Sequence, residues 1–270
     1  MEAIVVMVLT SILAATVAVF IRAPVQAYFD GVRRADLSDA ADGVLRRMSR
    51  DLQTALPNSV RISGNFIEFV PVTDAGRYRT DADPTAGCNS LDFSSSSLNS
   101  FDVLGPAVAV AAGNGIVVYN LGQPGADVYE GSSIRVAGAP STPQAACGAQ
   151  TIIFPAGTAP YSFASPGARF QVITTPVSYE CAPDAANPDN GVLRRYWGYA
   201  IQATQPASAA TLTALPNARS AIAAGQLASC VISYSNEVLQ RNGLVVVRLT
   251  LSKGGESVTL VQQMNVANTP

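Results

Sequence analysis

The spacing of apolar and polar positions changes twice along this chain. Residues 3–21, AIVVMVLTSILAATVAVFI, carry no formal charge, and Glu2 stands at their head. From residue 25 the apolar positions Val25, Phe29, Val32, Leu37, Val44, Leu45, Met48, Leu52, Ala55 and Leu56 recur mostly at steps of three and four. Arg33, Arg34, Asp36, Asp39, Asp42, Arg46, Arg47, Arg50 and Asp51 fill much of the remainder. Both stretches predict helix, the first apolar all round and the second with one apolar and one charged face. Pro24 predicts a kink between them, because it removes a backbone hydrogen bond and crowds the preceding turn. Pro57 and Asn58 predict the end. The first 56 residues thus read as one helix of up to about 84 Å.

A hydrocarbon core of about 30 Å takes roughly 20 helical residues, which residues 3–21 nearly supply. A cleavable secretory signal has a shorter apolar region, about 7 to 15 residues, and a small-residue cleavage site before the mature domain. Here the apolar run continues straight into helix. The division that follows is a transmembrane half over 1–23, an amphipathic half over 24–57, and a β-rich globular domain over 58–270.

After Pro57 the period becomes alternating. SVRISGNFIEFVPV predicts two short strands about Gly64-Asn65, a pair suited to a tight hairpin. Further strands are predicted at 115–120, 150–154, 168–175, 177–181 and 192–202, and a terminal hairpin joins GLVVVRLTLS to ESVTLVQQMNV at Lys253-Gly254-Gly255. The stretches TDADPTAGCNSLDFSSSS, GQPGADVYEG, APSTPQAACGA and CAPDAANPDNG read as loops, and TQPASAATLTALPNARSAIAAGQL as the place for a short helix. No βαβ alternation is present, so the fold class is α+β: a long N-terminal helix packed on an antiparallel β-sheet domain, one domain with long excursions.

Composition narrows the chemistry. Charged residues are 13% of the chain and the net charge is -2, against roughly 25% charged in ordinary soluble domains. Lys253 is the only lysine and the arginines form no long run, so nothing recruits nucleic acid by charge. Histidine is absent, which removes the commonest general base and metal ligand.

Cys88, Cys147, Cys181 and Cys230 lie far apart without a CxxC pair. Zinc-ribbon and thioredoxin-like readings therefore fail. Buried free thiols compete with two disulfides; an even count in loop-rich surroundings behind a membrane segment favours disulfides and an oxidising compartment. Of three possible pairings the sequential one is adopted, Cys88 with Cys147 and Cys181 with Cys230.

Weaker candidates each have a plainer structural reading. Asp81, Asp83 and Asp92, or Asp184, Asp189 and Asn190, offer oxygen ligands for calcium but lack EF-hand spacing, and solvated loops account for them. Arg194, Arg195, Tyr196, Trp197 and Tyr199 suit stacking on a sugar or protein; a strand whose aromatics alternate inward is favoured. Gly113-Asn114-Gly115 lacks a strand-to-helix setting and reads as a turn. Arg46 and Arg47 suit acidic neighbours, or a solvated face. No catalytic residue, metal site or cofactor is assigned.

A carboxylate heading an uncharged membrane run, then a proline, an amphipathic helix and a β-domain with cysteines, resembles a type IV pilin or pseudopilin. Met1-Glu2 matches the end of that family's entry signature and Ile4 to Ile21 its membrane run. The resemblance implies a leader ending in glycine ahead of this sequence, cut by a prepilin peptidase. FIRAPVQAYFD, LRRMSRDLQTALPNSVRISGNFIEFVPV, FDVLGP, VVYNLGQPGAD, FASPGARFQVITTPVSYEC, LRRYWGY and QRNGLVVVRLTLSKGGESVTLVQQMNV further resemble the MshO group of minor pilin-like proteins, from the mannose-sensitive haemagglutinin pilus biogenesis system.

What the resemblance implies for Glu2 is subunit assembly: its carboxylate pairs with the free α-amino group of a neighbouring subunit as the helix leaves the membrane. Intramembrane acids usually have a partner and a task. The plainer alternative is an interfacial glutamate favoured by the helix dipole, worth about 0.3–1 kcal/mol. The implied partners are major and minor pilins, the prepilin peptidase, the inner-membrane assembly machinery and, before assembly, membrane lipid. Arg22, Arg33 and Arg34 after the span would by themselves place that side in the cytoplasm. The cysteines and the resemblance place it in the periplasm of a single-pass inner-membrane protein, later on the pilus. The expected function is initiation or assembly of a type IV pilus. The runner-up is a membrane-anchored module binding carbohydrate or protein, and an anchored carboxylate-dependent hydrolase ranks third.

Overall fold

The computed structural model describes residues 2–143, 146–235 and 242–270, with Ala18 lacking a described side chain. Helix α1 runs from Glu2 to Gln53, 52 residues without a break, or about 78 Å at the standard rise. Its end tightens: the Thr54 and Ala55 amides donate to the carbonyls of Asp51 and Leu52, before Pro57 removes a donor. Leu37, Ala41, Val44, Leu45, Met48 and Leu52 are buried at steps of one, three and four. Val25, Phe29 and Val32 lie on the expected apolar face yet stay 40–53% exposed. Packing therefore begins a dozen residues later than the periodicity suggests, because the sheet beneath reaches only as far as Arg33 and Arg34.

Beneath α1 lie eight strands in two sheets, one of five strands and one of three, which together wrap the helix. Strands β1 (Arg61–Ser63) and β2 (Phe66–Phe69) form a hairpin closed by Gly64-Asn65, with Ser63 opposite Phe66. β2 pairs with β10 (Val177–Ala182), β10 with β11 (Val192–Trp197), and β11 with β12 (Arg219–Gly225). β13 (Leu227–Ser235) pairs instead with β14 (Asn242–Lys253), and β14 with β15 (Glu256–Ala267). A single residue, Gln226 at φ +58°, separates β12 from β13. The chain bends there and carries one strand direction from the first sheet into the second, wrapping them around the distal half of α1. The β14–β15 turn is Gly254-Gly255, both at positive φ, the backbone that a two-residue hairpin turn requires.

The second lobe is a seven-stranded sheet in the order β6 (Ile134–Val136), β5 (Gly115–Val117), β9 (Arg169–Ile173), β3 (Val72–Tyr78), β4 (Leu98–Leu104), β8 (Gln150–Thr158) and β7 (Thr142–Pro143). Every strand pairing in the described residues is antiparallel. Strands β3, β4, β6, β7, β12 and β13 fall where the alternation gave no strand, β7 within the stretch APSTPQAACGA that read as a loop. The short helix is α2 (Ala209–Ala214), capped by the Ser208 hydroxyl on the Thr211 amide.

Two main cores result. One lies between α1 and the wrapped sheet and contains Leu45, Met48, Ile67, Val247 and Met264. The other fills the second lobe with Tyr78, Phe101, Phe154 and Phe170, the Phe101 and Phe170 rings 5.3 Å apart edge to face. Leu56, Val70, Val117, Val128, Tyr129 and Ile173 form a smaller cluster at the foot of α1. Disulfides join Cys88 to Cys147 in the second lobe and Cys181 to Cys230 across the wrapped sheet.

Candidate membrane and assembly surface

Among the described residues, the first half of α1 is exposed throughout. Its most apolar stretch is wholly unburied, with Met7, Val19 and Phe20 at 69–80% exposure. Polar groups on it are satisfied within the helix: the hydroxyls of Thr10, Ser11 and Thr16 donate to carbonyls three or four residues back. A segment whose side-chain hydroxyls are satisfied within the helix and whose other side chains are apolar suits hydrocarbon. Among the described residues it is the one helix long and apolar enough to cross a membrane. Glu2 sits exposed in its first turn. Pro24 lies inside the helix and offers no donor to the carbonyl four residues earlier.

Beyond the apolar run, the sheet is clamped to α1. Arg33 donates to the Gly254 carbonyl at 3.0 Å and pairs with Asp30 at 3.3 Å, and Arg34 pairs with Glu256. The glutamate raises the Arg34 pKa through a hydrogen bond and its charge. The turn Gly254-Gly255 thus abuts residues 33 and 34, about a dozen residues or 18 Å beyond Ile21. At the far end, one oxygen of Asp51 accepts from Arg195 Nε and the Tyr179 hydroxyl, both at 2.8 Å.

A second polar network is buried in the wrapped sheet. Glu68, with no exposed surface, takes Arg61 at 2.6 and 3.0 Å on one oxygen and Tyr199 and Ser178 at 3.0 and 3.2 Å on the other. Arg61 also donates to the Ala203 and Gln202 carbonyls and lies 3.5 Å over the Tyr129 ring. Burial, reinforced by the Glu68 charge, pushes the Tyr199 and Tyr129 hydroxyls well above their ordinary pKa. Every member has a partner, so the network ties the 199–203 segment down rather than presenting a reactive group. Sequence patterning missed it, although the signal was there: a two-residue turn at 64–65 sets Arg61 directly opposite Glu68.

The other candidates resolve into structure. Asp83 and Asp184 each cap two amides of their own loops, and Asp92 binds the Ser94 amide and hydroxyl. Tyr196 and Tyr199 point inward and are buried, whereas Arg195 stacks 5.1 Å from Trp197. The Asn114 side chain closes a turn onto the Ala111 amide. Cys88, Cys147 and Asp102 lie together, but the two sulfurs are bonded to each other and Asp102 accepts from Thr151 and the Asn89 amide. An open cleft of about 620 Å³ is lined by Tyr129, Glu130, Val136 and Ile201.

Neither a protein-family model, nor a curated protein, nor a solved structure matches this chain.

Proposed function

We propose that this chain is a minor pilin-like subunit that takes part in initiating or assembling a type IV pilus, of the kind the MshO group serves. One observation carries the reading: a single continuous helix is bare and apolar for its first half, headed by Glu2, and buried on an antiparallel sheet for its second. A lone membrane anchor needs no rigid continuation into a folded domain. A subunit that moves from lipid to a filament core does, since the same apolar surface must serve both solvents. Glu2 then supplies register, meeting the α-amino group of another subunit; one charge in an oily bundle restricts how helices slide past one another. Partners in this reading are other pilins, the prepilin peptidase acting on the precursor, and the inner-membrane assembly machinery, with the sheet domain on the periplasmic side. The work is assembly, without substrate turnover or cofactor.

The test is Glu2→Ala in the native host. The variant is expected to insert and fold as the parent does, by membrane fractionation and protease resistance, yet to be lost from sheared pili. Unchanged recruitment overturns the assembly role.

A second reading, a membrane-anchored module binding carbohydrate or protein, is favoured by the second lobe: its core contains no residue of α1, and the 620 Å³ cleft opens beside its β5–β6 edge. A glycan array probed with the detergent-solubilised chain tests it.

A further inference from the structure

The chain crosses between its two lobes twice, over residues 70–71 between β2 and β3 and over residues 174–176 between β9 and β10. The cleft of about 620 Å³ opens at this junction, within the roughly 300–1,000 Å³ usual for ligand clefts. One wall is β6 with residues 128–131, and the other belongs to the 198–203 segment. Arg61 fixes both walls: it lies over the Tyr129 ring on one side and donates to the Gln202 and Ala203 carbonyls on the other. Walls already in place lose little freedom when a ligand arrives.

Strand β6 ends its sheet. Its pairing with β5 continues past the strand ends, where the Val118 amide donates to the Ser133 carbonyl and the Ala137 amide to the Asn114 carbonyl. Hydrogen-bonded pairs alternate along an antiparallel ladder. Ser133, Arg135 and Ala137 therefore turn their backbone groups to β5, and Ile134 and Val136 turn theirs to the open edge. The Ile134 carbonyl accepts from the Arg135 guanidinium. The Ile134 amide and both backbone groups of Val136 have no partner among the described residues. An open edge is commonly blunted by a charged side chain, but Arg135 is turned back onto the carbonyls of Gly131, Ala159 and Pro160. Ile134 and Val136 both line the cleft.

The lining selects among ligands. Glu130 is its one charged side chain; one of its oxygens accepts from the Gly125 amide at 3.1 Å. With no lysine or arginine in the lining, a phosphate or an acidic segment meets no opposite charge. Tyr129, the one aromatic residue there, is 8% exposed beneath Arg61, so a sugar finds no open ring to stack on.

We propose that this cleft binds an extended peptide segment of another protein, which adds to β6 as a strand and sets a Lys or Arg side chain against Glu130. The peptide main chain supplies acceptors for the Ile134 and Val136 amides and a donor for the Val136 carbonyl. The proposal rests on the second reading above and narrows its ligand from carbohydrate or protein to peptide.

Fluorescence anisotropy with the detergent-solubilised chain tests it, using three labelled heptapeptides of alternating Thr and Val that carry Arg, Gln or Glu at the centre. The Arg peptide is expected to bind on the order of tenfold more tightly than the Glu peptide, and Glu130→Gln, which keeps an acceptor for the Gly125 amide, to level the two. N-methyl groups placed singly along the Arg peptide should weaken binding at alternate amides only, since an added strand turns alternate amides toward β6. Val136→Pro, tolerated at an edge whose N–H points outward, should abolish binding with circular dichroism unchanged. An Arg preference that persists in Glu130→Gln, or N-methylation with equal effect at neighbouring amides, overturns the proposal. A glycan array probed with the same chain separates the proposal from the reading beneath it. Glycan binding without peptide binding overturns the peptide and leaves the binding module standing; binding of neither overturns both.

Discussion

Arg195 and Tyr179 face each other across β10 and β11, and both donate to one oxygen of Asp51 on α1. A single carboxylate therefore fastens the helix to two strands. Replacing Asp51 with Ala leaves a half-buried guanidinium and a buried hydroxyl without their acceptor. The expected loss is about 1–3 kcal/mol, discounted because Asp51 and Arg195 side chains keep 24% and 18% exposure. Asp42→Ala, which breaks the exposed pair with Arg46, should cost about 0.5 kcal/mol or less. Urea titration of the detergent-solubilised chain compares the two; equal losses would show that Asp51 fastens nothing.

Glu68 makes a sharper case because it is fully buried. Glu68→Ala strands Arg61 beside Tyr199 and Ser178 and should cost about 3–5 kcal/mol, enough to loosen the 199–203 segment that Arg61 holds through two carbonyls. Changing Arg61 and Glu68 together to a Leu-Leu pair removes both charges and should recover part of that loss. Double-mutant analysis by thermal melting checks the sign: a double variant worse than the sum of the singles would overturn the account.

Much of this architecture is legible in the sequence where local rules and packing agree. The long helix, the turns at Gly64-Asn65 and Gly254-Gly255, and the alternating strands β9 to β11 follow from period and turn chemistry. The missed strands have specific causes. Register shifts fall between Val72 and Asp74 in β3, and between Leu98 and Ser100 in β4, so the alternation slips phase within each strand. The RSAIAAG of β12 is alanine-rich and reads as helix, but it lies against β11 and pairing overrides its propensity. Periodicity also cannot say which apolar stripe meets a sheet of the same chain. It marks Val25, Phe29 and Val32 as it marks Leu45 and Met48, yet the first three stay 40–53% exposed and belong to none of the buried cores. On the candidate surface, Arg61 with Glu68 was readable from hairpin register. Asp51 with Arg195, 144 residues apart, was not.

Gly191 sits where the loop after β10 meets the bend at Gln226. Its carbonyl accepts a bond from the Leu227 amide at 3.1 Å, and the Leu227 carbonyl accepts from the Asp184 amide. A Cβ on Gly191 would lie 2.0 Å from the Leu227 carbonyl oxygen. Its φ of -71° is ordinary for any residue, so the requirement is space and not conformation. Gly191→Ala should cost about 3 kcal/mol, the upper end for overpacking. Gly225→Ala nearby, where a Cβ meets nothing within 4 Å, should be close to neutral. A melting-temperature comparison of the two separates a steric effect from a general intolerance of change at the bend.

Alkaline pH should unfold the protein cooperatively, and the reason is its buried tyrosines. Burial raises the pKa of Tyr78, Tyr129, Tyr161, Tyr179 and Tyr199 above the ordinary value of 10.0. In the unfolded chain each loses its proton near pH 10, whereas the folded chain retains it. The unfolded state therefore binds fewer protons above pH 10, and stability falls as pH rises from there toward the folded values; below pH 10 the contribution is complete and flat. Phenolate absorbance from these residues should appear together with the loss of circular dichroism, in one step. Tyr129→Phe removes one such group and its 2.7 Å bond to the Ser59 carbonyl. It should cost about 1 kcal/mol at neutral pH while making the alkaline decline shallower. Phenolate growing in smoothly at pH 10 with the fold intact would mean that water reaches these rings, and that the clusters holding them are less closed than their packing implies.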